Sequence, residues 1–317
     1  MNTSDARVIV VALDDGVDAL GSLSFAVAEA ARSRCAIRLV HVVKASLPPP
    51  PGDGLIELSD LSVGTHHFAN IADMTAADIL LEDAADEVRR IGGPDIDVTT
   101  AAPVGTTVHT LVEECQRARL AIVQHHHRSV LGTVFSRSTS VGLSSRAPCP
   151  VVTIPESWNP TTTHQRVLVA LDDVSSSIDL LAVGLEAAQA RGAVLKVVHA
   201  WNITGPYEEM IASPTQAEEW MKSAHEDLDR ALESVGDRYR GVTIKRLITP
   251  GAPADALQRE SASADLLILG RQGHKFGPTI GSVARTLIKH ASCPVEVHLR
   301  KPPAHDPHAS PLSRSSV

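Results

Sequence analysis

Clustered lysine and arginine are missing from this 317-residue chain: its 29 basic side chains are outnumbered by 37 acidic ones, for a formal charge of -8. A surface that tracks phosphates needs a basic patch, so the balance argues against nucleic acid as a partner. Long apolar runs are missing too. No stretch approaches the roughly 18 residues of a membrane span. Met1-Asn2-Thr3-Ser4-Asp5 has neither the basic start nor the apolar core of a signal peptide. The expected setting is the cytoplasm, away from any membrane. Cysteine is scarce: Cys35, Cys115, Cys149 and Cys293 show no C-x-x-C or zinc-like spacing, so buried, reduced thiols are expected. The phosphate-loop pattern Gly-x-x-x-x-Gly-Lys-Ser/Thr is absent as well, and Lys275 stands outside that context.

What is present is a repeat. Val11-Ala12-Leu13-Asp14-Asp15 recurs as Val169-Ala170-Leu171-Asp172-Asp173, and Leu39-Val40-His41 is answered by Val197-Val198-His199, both 158 positions on. Gly105 and Gly251 hold equivalent places 146 apart, so the first copy carries twelve extra residues, placed around the irregular run Pro48-Pro49-Pro50-Pro51-Gly52. Ala147-Pro148-Cys149-Pro150-Val151 and Ala291-Ser292-Cys293-Pro294-Val295 stand 144 apart, so the second copy has lost two residues in its glycine loop. Residues 1–155 and 166–300 are expected as two domains, each of about the ordinary size for its own core. A polar, turn-rich linker at 156–165 joins them, and a Pro/Ser/His-rich tail at 301–317 reads as disordered.

Short apolar or β-branched runs at 8–13, 37–43, 98–102, 120–123 and 151–154 predict five strands. A second set at 167–171, 195–199, 242–247, 266–269 and 295–299 repeats them. Continuous apolar strands suit parallel sheets covered on both faces. Between them, 74–90 carries Ile79, Leu80 and Val88 among acids, and 220–235 carries Met221, Leu228 and Leu232; both patterns predict amphipathic helices. The expected class is α/β: two tandem, doubly wound, five-stranded parallel sheets of Rossmann-like type. Ligands of such sheets sit beyond the carboxyl ends of the strands, where strand order reverses. Asp14, Asp172 and Gly270 all follow strands.

Gly270-Arg271-Gln272-Gly273 is followed, after seven more residues, by Gly281-Ser282 and an apolar helix. Glycines let a backbone approach an anion closely, and Ser282 at the N-cap would aim free amides and the helix dipole at the same place. Phosphate is the natural occupant. The alternative is that Gly277-Pro278 and Gly281 only shape a turn. Asp172 is open in the same way between ligand contact and strand-end turn cap.

The two Val-Ala-Leu-Asp strands, the Val-His after each second strand, the Gly-x-x-Gly loop with Gly-Ser, and the Cys-Pro-Val strand together resemble the universal stress protein family in tandem, from about residue 7 to 300. In the ATP-binding branch of that family nine residues separate the second and third loop glycines; here there are seven between Gly273 and Gly281. The resemblance implies ATP as ligand, with or without magnesium. Ala170, Asp172 and Ala200 would stand near base and ribose, Leu269 and Gly270 would pack on the sugar, and Gly273, Gly281, Ser282 and Val283 would face the phosphates. It also implies a role in stress or dormancy, with the two copies pairing through the Cys-Pro-Val edge strand as a pseudo-dimer; association of two chains into a homodimer is compatible with the sequence.

In the first copy Gln124, His127 and Arg137 stand where the glycines would be, so side chains occupy the cradle and a degenerate site is expected. Ser138 would cap the next helix. His125-His126-His127-Arg128 offers an anion charge instead of backbone. The three histidines lack a carboxylate or cysteine spaced to complete a metal shell, and no metal site is assigned. His41 and His199 are better explained as hydrogen-bonded structural residues than as acid-base groups. No catalytic set stands out, because hydrolysis needs a group that positions the nucleophile and usually a metal carboxylate. A nucleotide-binding regulator is the leading expectation, with a nucleotide-free interaction protein and a nucleotide-cleaving enzyme behind it.

Overall fold

The computed structural model describes residues 8–15, 18–44, 71–125, 137–174, 177–201, 214–235, 237–271, 273–274, 277–278 and 280–300. The run 48–52, His126, His127, Arg128, Lys275 and the tail 301–317 lie outside them, as do the side chains of Arg137 and Ser138. The first half runs β1 (Val8–Leu13), α1 (Leu20–Ser33), β2 (Ala36–His41), α2 (Ile71–Gly92), β3 (Val98–Ala101), α3 (Thr107–Glu114), β4 (Ala118–His125), α4 (Arg137–Arg146) and β5 (Val151–Pro155). The second runs β6 (Arg166–Ala170), α5 (Ile178–Arg191), β7 (Val194–Trp201), α6 (Pro214–Val235), β8 (Ile244–Pro250), α7 (Pro253–Ser261) and β9 (Leu266–Arg271). It continues with the short strands β10 (Gly273–His274) and β11 (Gly277–Pro278), then α8 (Ser282–His290) and β12 (Val295–Leu299).

The two five-stranded units share one sheet, in the order β3-β2-β1-β4-β5-β12-β9-β6-β7-β8. Pairing is parallel within each half. At the junction β5 and β12 run antiparallel, with Val295 opposite Thr153, Glu296 opposite Val152 and Val297 opposite Val151. The central strands are buried along most of their length because helices cover both faces. On one face α1, α2, α5 and α6 close over a single apolar cluster that runs through both halves, with Leu23, Leu81, Leu181 and Leu228 inside it. On the other, α3 with α4 and α7 with α8 cover two separate clusters. Helix α2 starts and ends beyond the expected 74–90. Ile79, expected on its apolar face, is 56% exposed, whereas Leu81 and Val88 are buried. The stripe runs through Ala77, Leu81, Ala84, Ala85 and Val88, at helical spacing, and leaves Ile79 on the far side. Among the described residues no helix is long and apolar enough to cross a membrane.

Charged groups tie the halves together at the seam. Arg191 of α5 pairs with Glu29 of α1, both side chains mostly shielded. Glu296 of β12 lies 2.6 Å from His298 Nε2. Burial pushes the Glu296 carboxyl up, but His298, Arg191 and Arg119 outweigh it and hold the group below its ordinary value of 4.5. On the opposite face Arg271, only 5% exposed, crosses from the end of β9 into the first half. Its Nη1 donates to Ser145 O at 2.7 Å and its Nη2 to Ala147 O at 2.5 Å. Those are carbonyls at the C-terminal end of α4, where the helix leaves acceptors unpaired and its dipole favours a cation.

Two outcomes follow from the seam. A carboxyl held low in the folded state stabilises the protein above its unfolded value near 4.5 and loses that contribution as pH falls through the lower folded value. Urea midpoints measured from pH 6 down to 3 should therefore fall less steeply in Glu296→Gln than in the parent chain. Replacing Arg271 by Met leaves two buried carbonyls without their donor and should lower the unfolding free energy by about 2–3 kcal/mol in denaturant titrations.

Candidate functional site

In the second half β6 lies between β9 and β7, and the sheet order reverses at the β6/β9 boundary. The chain leaves β6 toward α5 on one face and β9 toward α8 on the other, which opens a crevice at the strand ends. Ala170 ends β6, half-buried, and Ala200 sits near the end of β7 opposite Thr249. Asp172 lies just past β6, where its Oδ1 accepts the Asp173 N–H at 2.9 Å and the Ser177 hydroxyl at 3.2 Å. Asp14 makes the matching bond to the Asp15 N–H at 3.0 Å, so the strand-end cap occurs in both copies. The two histidines are repeated in the same way. His199 Nδ1 is 2.9 Å from Leu171 O and His41 Nδ1 is 3.1 Å from Leu13 O. A carbonyl only accepts, so each Nδ1 carries the proton and pins the strand-one turn to the strand-two end.

Gly270 is a glycine for a visible reason. A Cβ there would stand 2.5 Å from Arg300 Cδ, 2.9 Å from Arg300 Cγ and 3.3 Å from Leu180 Cδ2. Arg300, just beyond β12, lays its side chain across Gly270 and donates from Nη1 to Asp172 Oδ1 at 2.5 Å. Leu269 is 3% exposed, with its side chain in the cluster that holds Ile280 and Leu287. Only its backbone can face a ligand.

The shortened loop folds back on itself. β10 and β11 pair antiparallel, Gly273 opposite Pro278 and His274 opposite Gly277, and Gly273 is thereby part of a small hairpin. Helix α8 begins at Ser282, so the N-cap is Gly281, one residue earlier than the sequence suggests, and the N-cap residue makes no side-chain bond to the helix. Gly281 has φ −63° and ψ 162°, extended geometry open to any residue. Among the described residues a Cβ there would meet nothing within 4 Å. Among the described residues nothing fills the space beside Gly281, next to the first-turn amides of Ser282 and half-buried Val283, at the positive end of a helix whose apolar side is fixed by Ala284, Leu287 and Ile288.

The first half carries a side chain at the position matching Gly270. Gln124, at the register position of Gly270, is buried, and its Oε1 accepts the Ser22 N–H of α1 at 3.3 Å. His127 and Arg128 lie outside the described residues. Among the described residues no group of three or more His, Cys, Asp or Glu could hold a metal ion. All four cysteines are free thiols. Burial pushes the Cys293 thiol up to about 12, and a hydrogen bond with Cys149, then burial, raises Cys115. Sequence reasoning missed Arg271 and Arg300. Arg271 occupies a variable position inside the loop pattern, and Arg300 follows the last strand, where no pattern marks a long-range contact.

A family model described as the Universal stress protein family matches residues 6–155 and 163–297. A universal stress protein of Mycobacterium tuberculosis is 27% identical over 297 residues, covering 91% of this chain and 96% of its own length. Another from that species is 28% identical over 308 residues, with 91% and 95% covered. Among solved structures, a universal stress protein from Archaeoglobus fulgidus aligns with a TM-score of 0.63 at 16% identity, over 93% of this chain and 99% of that one. A functionally unknown protein from Pseudomonas aeruginosa aligns with a TM-score of 0.60 at 18% identity, over 94% of each chain. These two likenesses speak to the fold.

Proposed function

Because this chain belongs to the universal stress protein family, we propose that it is an adenine-nucleotide-binding regulator of a stress or dormancy response, with its site in the second half. The observation that carries this is that, among the described residues, nothing fills the space beside Gly281, whose lack of a side chain leaves the amides at the start of α8 without an N-cap bond. It lies at the end of the sheet where Asp172 follows β6 and where Ala200 and Gly270 stand one residue before the ends of β7 and β9. Backbone N–H groups at Gly281, Ser282 and Val283 suit phosphate oxygens. The Asp172 carboxylate suits sugar hydroxyls, and the backbone at Ala170, Ala200, Leu269 and Gly270 suits a flat base and its ribose. ATP is the expected ligand, with or without magnesium. A bound nucleotide would supply a change of shape and charge at the strand ends. The described residues supply no nucleophile-positioning set, and no chemical step is assigned.

The asymmetry between halves supports one site per chain. Gln124 fills the strand end of the first half with its own side chain and bonds it to a buried amide, whereas Gly270 has no side chain there, so the first copy is read as a partner fold without nucleotide.

Calorimetric titration of the full chain with ATP, with and without magnesium, should show saturation near one nucleotide per chain. Gly281→Asp separates binding from folding. Aspartate is a better N-cap than glycine by a few tenths of a kcal/mol, so the melting temperature should hold or rise slightly. Its carboxylate would meet the phosphates, and affinity should fall by at least about tenfold, or roughly 1.4 kcal/mol. Absence of binding by the parent chain under both conditions would leave the nucleotide-free interaction protein as the better description.

A further inference from the structure

The same arginine that lies across Gly270 also holds the carboxylate assigned to the sugar. Arg300 comes from beyond β12, outside the glycine loop and outside every strand-one and strand-two segment of the site. Its stem lies against Gly270 closely enough that a Cβ would collide with Cδ at 2.5 Å and Cγ at 2.9 Å. Its Nη1 reaches Asp172 Oδ1 at 2.5 Å. The Arg300 side chain is only 11% exposed, whereas that of Asp172 is 59% exposed. The arginine is therefore packed in place, and the carboxylate remains reachable from solvent on its other side. Its backbone is fixed as well, by the Arg300 N–H on Arg271 O at 2.9 Å.

We propose that Arg300 is an internal competitor for the nucleotide site: it occupies the sugar position formed by Asp172 and Gly270 and must leave before a nucleotide can settle there. This rests on the nucleotide reading above and adds a control to it. The stem covers the surface on which a ribose would pack, and the guanidinium satisfies the carboxylate that would accept ribose hydroxyls. A ligand therefore binds only the fraction of molecules in which Arg300 has swung out, and its apparent affinity is reduced by that fraction. Among the described residues the first half shows no arginine in the matching place. Glu156 stands at the position matching Arg300, and the covering of the strand end is built instead from Gln124.

The test is ATP titration of the full chain as the parent, as Arg300→Ala and as Arg300→Lys, by calorimetry. Circular dichroism and melting curves confirm that each variant is folded. Arg300→Ala removes both stem and cation and should tighten ATP binding by about fivefold, the gain expected when a partly exposed ion pair no longer has to open. Arg300→Lys keeps a long cation facing Asp172 and should stay within about twofold of the parent on the same ground. Equal affinity in all three chains would overturn the competitor while leaving the nucleotide reading intact. Weaker binding by Arg300→Ala would also overturn it, recasting Arg300 as a direct partner of the phosphates. No binding by any of the three would remove the nucleotide reading and the competitor with it.

Discussion

Three residue pairs between β5 and β12 decide the shape of the whole chain. A parallel five-stranded unit ends in an edge strand with a row of unpaired N–H and C=O groups, and such an edge pairs readily with another. Here the edge of each half is the other half's partner, through Val151, Val152 and Thr153 against Val297, Glu296 and Val295. Antiparallel pairing at that one place relates the halves by an approximate twofold. It brings α1 beside α5 on one face and α4 beside α8 on the other. The ion pair of Arg191 with Glu29 and the reach of Arg271 into the end of α4 both depend on it.

Within that near-symmetry the halves differ at their strand ends. At one register position the first half carries Gln124, folded back onto the N-terminus of α1, and the second carries Gly270, bare but overlaid by Arg300. Both strand ends are covered in the structure. The difference is in how the cover is attached: Gln124 is bonded to a buried amide, whereas Arg300 is a long side chain entering from a strand terminus.

Much of the architecture was legible because continuous β-branched and aliphatic strands, as in Val8–Leu13 and Val295–Leu299, have one comfortable environment. The repeat made each half a check on the other. His41 and His199 were legible for the same reason, since a twice-repeated histidine at a strand end implies a twice-repeated local bond. The misses share a cause. Ile79 was misplaced because one isoleucine among acids does not say which face of a helix the neighbouring alanines bury. The cap at α8 was placed one residue late because serine is the better capping side chain, while the backbone turns at Gly281. The hairpin of β10 with β11 has only two residues a side and no alternation to read. Arg271 and Arg300 make contacts over 124 to 128 positions of sequence, and a long flexible cation leaves no periodic trace of where it will end.

Arg271 carries a consequence for inheritance. A duplicated fold ordinarily yields modules that can be cut apart and recombined. Here a side chain encoded in the second copy completes the last turn of a helix encoded in the first. A gene truncated to either copy would strand a cation in one product and bare carbonyls in the other, beside an exposed strand edge in both. Selection therefore acts on the pair. Whatever else changes in the first copy, it remains bound to keep the end of α4 where the second copy needs it.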